Sequence, residues 1–282
     1  MILIFLLLTQ LSIGSIMTLL AVPLHEAGRG YFRFTSLTSL FLFGLAFFLW
    51  PYPPVTWQEL LSGYGAILFT DWTGRTLLLF VVYAFLVLLC SFVLTPKWPS
   101  LSRKLLGASV LAGILVLICL AMVYRNQLGL GFWWENLLFP GNFLTSALLL
   151  GSASFAMVLG HWYLVTPDLS IDPLRSLSLL FIGSLILRLV LILLTLGLYW
   201  TRGETGRQLI EILLNLEGYG IFFWFRLLFG LLAPLACSYM IWETVKIRST
   251  QSATGMLYVT MLFVLAGELL ARFLLFVTKI PV

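Results

Sequence analysis

Residues 177–200 read LSLLFIGSLILRLVLILLTLGLYW, a run of 24 residues in which Arg188 is the one charged side chain. A helix of roughly 20 apolar residues crosses the hydrocarbon core of a bilayer, which is about 30 Å thick. A run of this length with a single charge therefore predicts a transmembrane helix. This segment indicates the fold class, because other segments along the chain are apolar over a comparable length.

Seven further runs are of comparable length and are likewise apolar. Trp or Tyr lies at several of their ends, as is typical of side chains at the lipid headgroups. The sequence thus predicts an all-α polytopic membrane protein, a bundle of about eight transmembrane helices that forms a single integral membrane domain over residues 1–282. The predicted spans are Ile2–Leu24, Phe34–Trp50, Thr76–Leu94, Leu105–Tyr124, Phe143–Val165, Leu177–Trp200, Tyr219–Trp242 and Met256–Thr278.

The composition excludes a soluble protein. Hydrophobic residues make up 61% of the chain and charged residues 10%, and the mean hydropathy is +1.07, whereas a soluble domain carries about 25% charge. The net charge of +5 is scattered and forms no basic run of the kind that binds nucleic acid. The three cysteines lie in apolar runs without a CxxC pair, so a disulfide framework, a zinc site or an iron–sulfur cluster has no support. Motifs typical of nucleotide binding or hydrolysis are also missing.

Three partly apolar connections are candidates for short interfacial helices, namely Pro51–Arg75, Asn126–Pro140 and Gly206–Leu216. All three follow even-numbered spans and so fall on one side of the membrane. The loops after odd spans hold eight basic residues, and those after even spans hold five. The positive-inside rule then places both termini outside. The expected membrane is a bacterial cytoplasmic membrane. The two sets are Arg29, Arg33, Lys97, Arg103, Lys104, Arg175, Lys246 and Arg248, and Arg75, Arg125, Arg202, Arg207 and Lys279.

Four charged residues remain at membrane depth: Arg188, Arg226, Glu268 and Arg272. From the outer helix ends, Arg272 lies about 9 Å deep, Arg226 about 11–12 Å, Glu268 about 15 Å and Arg188 about 18 Å. Glu268 and Arg272 are four residues apart and can pair along one helix face. One carboxylate can then serve two or three guanidiniums if spans six, seven and eight face one another. Such a group is either an inter-helical clamp or a polar wall of a ligand cavity or proton route.

A second polar group is predicted near the cytoplasmic face, where His25, Glu26, His161, Tyr163 and Glu243 all lie at helix ends and can converge on one pocket. Three interpretations stay open for the two histidines. Each can be an interfacial residue hydrogen-bonded to a neighbour. Together they can bind a quinone headgroup, since an imidazole beside carboxylates can donate to a quinone carbonyl and pass protons. They can also be the axial ligands of a haem b.

Two short segments carry a resemblance to a known family. Span one opens with LTQLSIG (Leu8–Gly14), and span eight closes with GELLARFLLF (Gly267–Phe276). With eight spans in about 280 residues, the chain resembles the membrane-anchor subunits of molybdopterin oxidoreductases, of the dimethyl sulfoxide reductase, polysulfide reductase and nitrite reductase anchor types. The resemblance implies a subunit without haem that holds a quinone near one membrane face. It also implies electron exchange with an iron–sulfur partner that feeds a catalytic subunit.

The expected function is therefore a quinone- or quinol-binding subunit of a respiratory or other electron-transfer complex, with menaquinone or ubiquinone as the cofactor. In that interpretation the histidines contact the quinone oxygens, the nearby carboxylates relay protons, and the tyrosine donates or stacks. The membrane-depth group of Arg188, Glu268 and Arg272 holds the bundle or extends the proton route. A structural accessory subunit without a redox site and a small b-type haem subunit are the alternatives. A transporter fits less well, since the two halves of the sequence show no repeat.

Overall fold

The computed structural model describes residues 1–51, 71–93, 99–166 and 169–282, apart from the side chains of residues 24, 25 and 99. Over these ranges the chain forms helices and no strands. Eight of the helical segments are long and apolar enough to cross a membrane. The predicted all-α, eight-span architecture is confirmed, and the chain is a multi-pass membrane protein.

The first six spans are single helices, the seventh is a composite, and the eighth is again a single helix. A short 3-10 turn (Leu19–Ala21) extends the first helix, and a π-helical segment (Leu228–Leu232) interrupts span seven between α8 and α9. The helices are α1 (Ile2–Thr18), α2 (Leu24–Phe48), α3 (Trp72–Val93), α4 (Pro99–Leu128), α5 (Glu135–Val165), α6 (Asp172–Trp200), α7 (Gly203–Leu214), α8 (Gly220–Leu227), α9 (Ala233–Lys246) and α10 (Thr250–Thr278).

The spans form two four-helix groups. In the first group α1 packs against α2 and α4, and α3 joins α2 to α4. In the second group α5 packs against α6 and α10, and span seven joins α6 to α10. Helix α5 also packs against α1 and α4, so it connects the groups and is the most deeply buried span. Polar side chains on the inward faces of four packed helices meet in the centre of a group, which is where ligand sites of helix bundles form.

One of the three predicted interfacial helices is confirmed. Helix α7 confirms the amphipathic segment predicted at Gly206–Leu216. The segment Asn126–Pro140 is not a separate helix, because α4 continues to Leu128 and α5 begins at Glu135. The third segment, Pro51–Arg75, falls largely outside the described residues.

Glu135 explains why the connection between α4 and α5 folds as a tight loop. This carboxylate is fully buried and accepts hydrogen bonds from the backbone N–H groups of Leu130 (3.0 Å), Gly131 (3.0 Å) and Phe132 (3.2 Å). The hydroxyl of Tyr199 on α6 donates a fourth hydrogen bond of 3.0 Å. A buried carboxylate that receives four hydrogen bonds is well compensated, so this residue holds the loop and ties it to α6.

Two glycine contacts set how closely the helices cross. A Cβ added to Gly14 of α1 would lie 1.8 Å from the carbonyl oxygen of Ala147 on α5, and one added to Gly151 would lie 2.1 Å from the backbone of Gly14. In span seven, a Cβ on Gly230 would lie 2.6 Å from the Cα of Gly267 on α10. Small residues allow such backbone contact between helices in a membrane, where close packing takes the place of the hydrophobic effect.

Three hydroxyl side chains, those of Ser12, Ser39 and Tyr83, join helices of the first four-helix group. Ser12 Oγ of α1 donates to the carbonyl oxygen of Ser39 on α2 at 2.9 Å, and Ser39 Oγ returns a hydrogen bond of the same length to the carbonyl oxygen of Ser12. Tyr83 of α3 also donates to the Ser12 carbonyl, at 3.3 Å. These buried hydroxyls are partnered, so they lock three helices together.

Candidate functional site

The four charged residues predicted at membrane depth meet inside the second four-helix group. Arg188 comes from α6, Arg226 from α8, and Glu268 and Arg272 from α10. Each is at most 1% exposed. We call these four residues the arginine cluster. Charges at this depth are expensive unless they are paired, so their pairing decides what the cluster can do.

Glu268 is the hub of the arginine cluster and accepts four hydrogen bonds. Its Oε1 accepts from Arg188 Nε at 3.1 Å. Its Oε2 accepts from Arg188 Nη2 at 3.0 Å, from Arg272 Nη2 at 3.1 Å and from Ser146 Oγ at 2.5 Å. Arg188, Arg272 and Ser146 therefore contact Glu268 at hydrogen-bonding distance, and three of these four hydrogen bonds end on Oε2.

Arg188 is fully held by its neighbours. Besides its two hydrogen bonds to Glu268, its Nη1 donates to the backbone carbonyl of Asn142 at 3.1 Å, to the Asn142 side-chain oxygen, and to Thr145 Oγ1 at 3.3 Å. The amide nitrogen of Asn142 in turn donates to the carbonyl oxygen of Pro281. The bidentate pairing with Glu268 and these further acceptors leave Arg188 as a structural clamp between α5, α6 and α10.

Arg226 is charged and buried, and it lies outside hydrogen-bonding distance of Glu268. Its Nη2 is 3.7 Å from Glu268 Oε1, which is an ion pair without a hydrogen bond. None of its three nitrogens has a hydrogen-bond partner among the described residues. Arg188, Arg272 and Ser146, in contrast, all contact Glu268 at hydrogen-bonding distance. Buried polar groups are nearly always hydrogen-bonded, so a guanidinium in this state is available to a ligand or to water.

One further donor of the arginine cluster, Nε of Arg272, lacks an acceptor in the described part of the chain. The side-chain amide of Gln10 lies 3.1 Å from Ser146 Oγ, whose single proton is donated to Glu268, and this contact ties α1 of the first group to the cluster. The unpartnered groups of Arg226 and Arg272 are N–H donors. The cluster also carries three guanidiniums against one carboxylate. A ligand that fits it therefore supplies acceptor atoms and no donors.

The helix that carries Arg226 is irregular next to it. The π-helical segment Leu228–Leu232 begins two residues after Arg226. Gly230 within this segment contacts Gly267, the residue before Glu268. Single turns of π-helix are frequent at functional sites, and the extra residue per turn displaces side chains from their regular positions. Here the π-helical segment and the glycine contact position Arg226 against Glu268.

The prediction that one carboxylate serves three guanidiniums is confirmed by these distances. The prediction missed Gln10, Asn142 and Ser146, although they are polar residues inside apolar spans and so carry the same signal as the arginines. Gln10 belongs to LTQLSIG, while Glu268 and Arg272 belong to GELLARFLLF. These two segments, about 260 residues apart in sequence, meet at Ser146.

The second predicted group is not brought to one pocket. His161 is exposed on the outer surface of α5, and its Nδ1 lies 3.4 Å from the hydroxyl of Tyr258 on α10. Tyr163, two residues further along the helix, is buried, and its hydroxyl donates to the carbonyl of Ser170. Residues two apart on a helix point to different sides, which is why His161 and Tyr163 cannot share a pocket.

The other members of the second group lie in different surroundings. Glu243 is exposed and pairs with Lys246 at 2.7 Å. Glu26 is half-buried and interacts electrostatically with Tyr163. It precedes a kink in α2 at Gly28, whose φ of 76° is one that glycine adopts readily. The His25 side chain lies outside the described part of the chain, so the bis-histidine haem and its alternative, a histidine–quinone contact, stay predictions.

Comparison with known proteins adds no family. No protein-family model matches the chain, and no curated protein matches it significantly. The geometry of the arginine cluster, with Arg226 at its unpaired end, is therefore what bears on function.

Proposed function

We propose that the protein is a quinone- or quinol-binding integral membrane subunit of an electron-transfer complex, and that the quinone headgroup binds at Arg226. One observation carries the proposal: a guanidinium buried at membrane depth has no hydrogen-bond acceptor among the described residues, and the carboxylate of Glu268 lies 3.7 Å from it. Ionisable residues inside a membrane that are not fully paired generally mark a ligand or ion pathway.

The chemistry of the arginine cluster fits a quinone. The carbonyl oxygens of a quinone accept hydrogen bonds and donate none, and the unpartnered groups of the cluster are all donors. Bound there, a quinone would supply two-electron carrier chemistry. Arg226 would orient its oxygen, and Glu268 and Arg188 would keep the helices that carry these donors at fixed distances.

The surface beside Arg226 suits an aromatic ring that arrives from the lipid. Phe222 and Phe229 lie one turn before and one turn after Arg226, and both are partly exposed on the outer surface of span seven. Phe222 packs against Phe273 of α10 with ring centroids 5.0 Å apart, and Phe229 packs against Phe263 at 6.2 Å. Aromatic rings favour offset and edge contacts with other rings, so this surface suits contact with a planar headgroup near Arg226.

The remainder of the assembly is proposed from the resemblance and the charge count. The partners are iron–sulfur and catalytic subunits, and lipids surround the spans. The membrane is a bacterial cytoplasmic membrane with both termini outside, and the quinone is menaquinone or ubiquinone. An even number of crossings puts both ends of the chain on one side, which agrees with this orientation.

A second candidate is a structural accessory subunit. It is favoured by the complete pairing of Arg188 with Glu268 and Asn142, which is what an inter-helical clamp requires. In that case Arg226 is an additional clamp residue solvated by water, and no ligand depends on it. Ligand binding by Arg226 variants separates the two candidates.

Arg226→Gln is expected to weaken quinone binding by roughly tenfold or more, the loss expected for a hydrogen bond from a charged donor. The protein should remain folded, since the variant removes a charge that Glu268 compensates only at 3.7 Å. Binding of menadione to the purified protein in nanodiscs can be followed by quenching of tryptophan fluorescence, and Trp224 lies two residues from the substituted position.

Two matched variants complete this experiment. Arg207→Gln removes an exposed arginine on α7 and should leave binding unchanged. His161→Ala tests the histidine assignment and should also leave binding unchanged if the headgroup lies at Arg226. Equal affinities of the wild type and Arg226→Gln would refute the proposed site. A loss of binding in His161→Ala alone would instead assign the quinone site to His161.

A further inference from the structure

We propose that the site at Arg226 selects ring compounds whose bound oxygen carries a negative charge, so that an ionised hydroxyquinone binds more tightly than a neutral quinone of the same size. This inference rests on the proposed function and assigns a chemical class to the ligand of that site. Three features of the arginine cluster support it: its uncompensated charge, the concentration of that charge on Arg226, and the absence of a competing acid among the described contacts.

The first feature is the uncompensated charge. Arg188, Arg226 and Arg272 face the single carboxylate of Glu268, so the cluster carries two more positive than negative charges. Arginine does not lose its proton inside a protein, so the cluster cannot become neutral by releasing one. All four side chains are at most 2% exposed, which means that water does not screen this charge. An anionic ligand oxygen therefore lowers the electrostatic free energy of this uncompensated charge, whereas a neutral carbonyl does not.

The second feature is that the excess charge is concentrated on Arg226. Arg188 has two hydrogen bonds to Glu268 and further acceptors on α5. Arg272 pairs with Glu268 and lies 5.0 Å from the ring of Phe143, a cation–π contact. Arg226 has only the distant ion pair. The charge of the ligand is therefore expected to interact mainly with Arg226, on the side where the surface phenylalanines lie.

The third feature concerns protons. The described groups that contact the arginine cluster are amides and hydroxyls, namely Asn142, Ser146, Thr145 and, through Ser146, Gln10. None of these is an acid strong enough to protonate a phenolate, and the carboxylate of Glu268 already accepts four hydrogen bonds and faces three guanidiniums. A ligand oxygen that arrives ionised can therefore stay ionised while it accepts hydrogen bonds from the guanidinium.

Three probes of similar size test the inference in the full chain, purified in nanodiscs. They are menadione, its ring-hydroxylated counterpart, which is ionised at neutral pH, and the methyl ether of that counterpart, which is neutral. Binding is measured by fluorescence quenching and corrected for partition into protein-free nanodiscs. In the wild type the hydroxylated probe should bind roughly tenfold or more tightly than its ether, the change expected for one charge-assisted hydrogen bond.

The variants show whether Arg226 causes the preference. In Arg226→Gln the ratio of the two affinities should fall to near one, whereas Arg226→Lys, which keeps the charge, should retain a preference for the ionised probe. Arg207→Gln should retain the wild-type ratio. If Arg226→Gln does not fold, the ratio in the wild type and in Arg226→Lys still decides the outcome.

The possible failures are distinguishable. If both neutral probes bind and the hydroxylated probe binds no more tightly, the charge selectivity is wrong and the proposed quinone site stands. A preference that persists unchanged in Arg226→Gln assigns the selectivity to another part of the protein and also overturns the inference. If none of the three probes binds above the protein-free control, the inference and the proposed function both fail.

Discussion

Replacement of Glu268 with glutamine is expected to destabilise the protein by about 3–5 kcal/mol, the range for removing one partner of a buried ion pair. Glu268 is the counter-ion of Arg188, Arg226 and Arg272, and it is 1% exposed. Glutamine has a similar shape but no charge, so three guanidiniums would face one another inside the second four-helix group. Thermal unfolding in detergent, followed by near-UV circular dichroism, measures the effect.

The matched control for this variant is Glu243→Gln. Glu243 also pairs with a basic residue, Lys246 at 2.7 Å, but both side chains are close to half exposed, so the expected loss is below about 1 kcal/mol. Combining Glu268→Gln with Arg226→Gln should recover part of the lost stability, because it removes one of the repelling charges. Equal melting temperatures for Glu268→Gln and Glu243→Gln would show that Glu268 does not hold the arginine cluster together.

Gly14→Ala is expected to cost about 3 kcal/mol or more, at or above the upper end for an overpacked core. The added methyl group would lie 1.8 Å from the carbonyl oxygen of Ala147. That atom belongs to the backbone of α5 and cannot turn aside as a side chain can. Helices α1 and α5 would have to separate, which would also draw Gln10 away from Ser146. Thermal unfolding and the yield of monodisperse protein on size-exclusion chromatography measure the effect.

Gly44→Ala is the control, since Gly44 is an exposed helical glycine of α2 and no atom lies within 4 Å of an added Cβ. Alanine favours a helix over glycine by up to about 1 kcal/mol, so this variant should be neutral or slightly more stable. A Gly14→Ala protein as stable as the wild type would mean that α1 and α5 do not contact each other through Gly14 and Gly151.

The two variants connect the fold with the candidate site. Gly14 and Gly151 hold the two four-helix groups in contact, and Gln10, one turn before Gly14, reaches the arginine cluster across that contact. A change at the glycine crossing is therefore expected to affect the site even though it lies outside it. A partial loss of probe binding in a folded Gly14→Ala protein would be consistent with this coupling.

Part of the candidate site could be predicted from the sequence. The i, i+4 spacing of Glu268 and Arg272, and the depth of Glu268 between those of Arg226 and Arg188, were enough to predict a shared carboxylate, since both follow from helix geometry. The orientation of His161 was not predictable in the same way. The predicted pocket assumed that helix ends on one face converge, but convergence depends on how each helix is rotated about its axis, and His161 is exposed on the outside of its helix.

The sequence by itself determined the eight crossings, because the thickness of the hydrocarbon core sets the length of an apolar helix whatever its neighbours are. It also determined that three arginines and one glutamate lie at membrane depth. Only the tertiary structure decided which donors stay unpaired. Arg188, Arg272 and Ser146 lie on helices that pack closely enough to hydrogen-bond Glu268, and Arg226 is left at 3.7 Å. That allocation depends on distances between helices far apart in the chain, and no local pattern of residues encodes it.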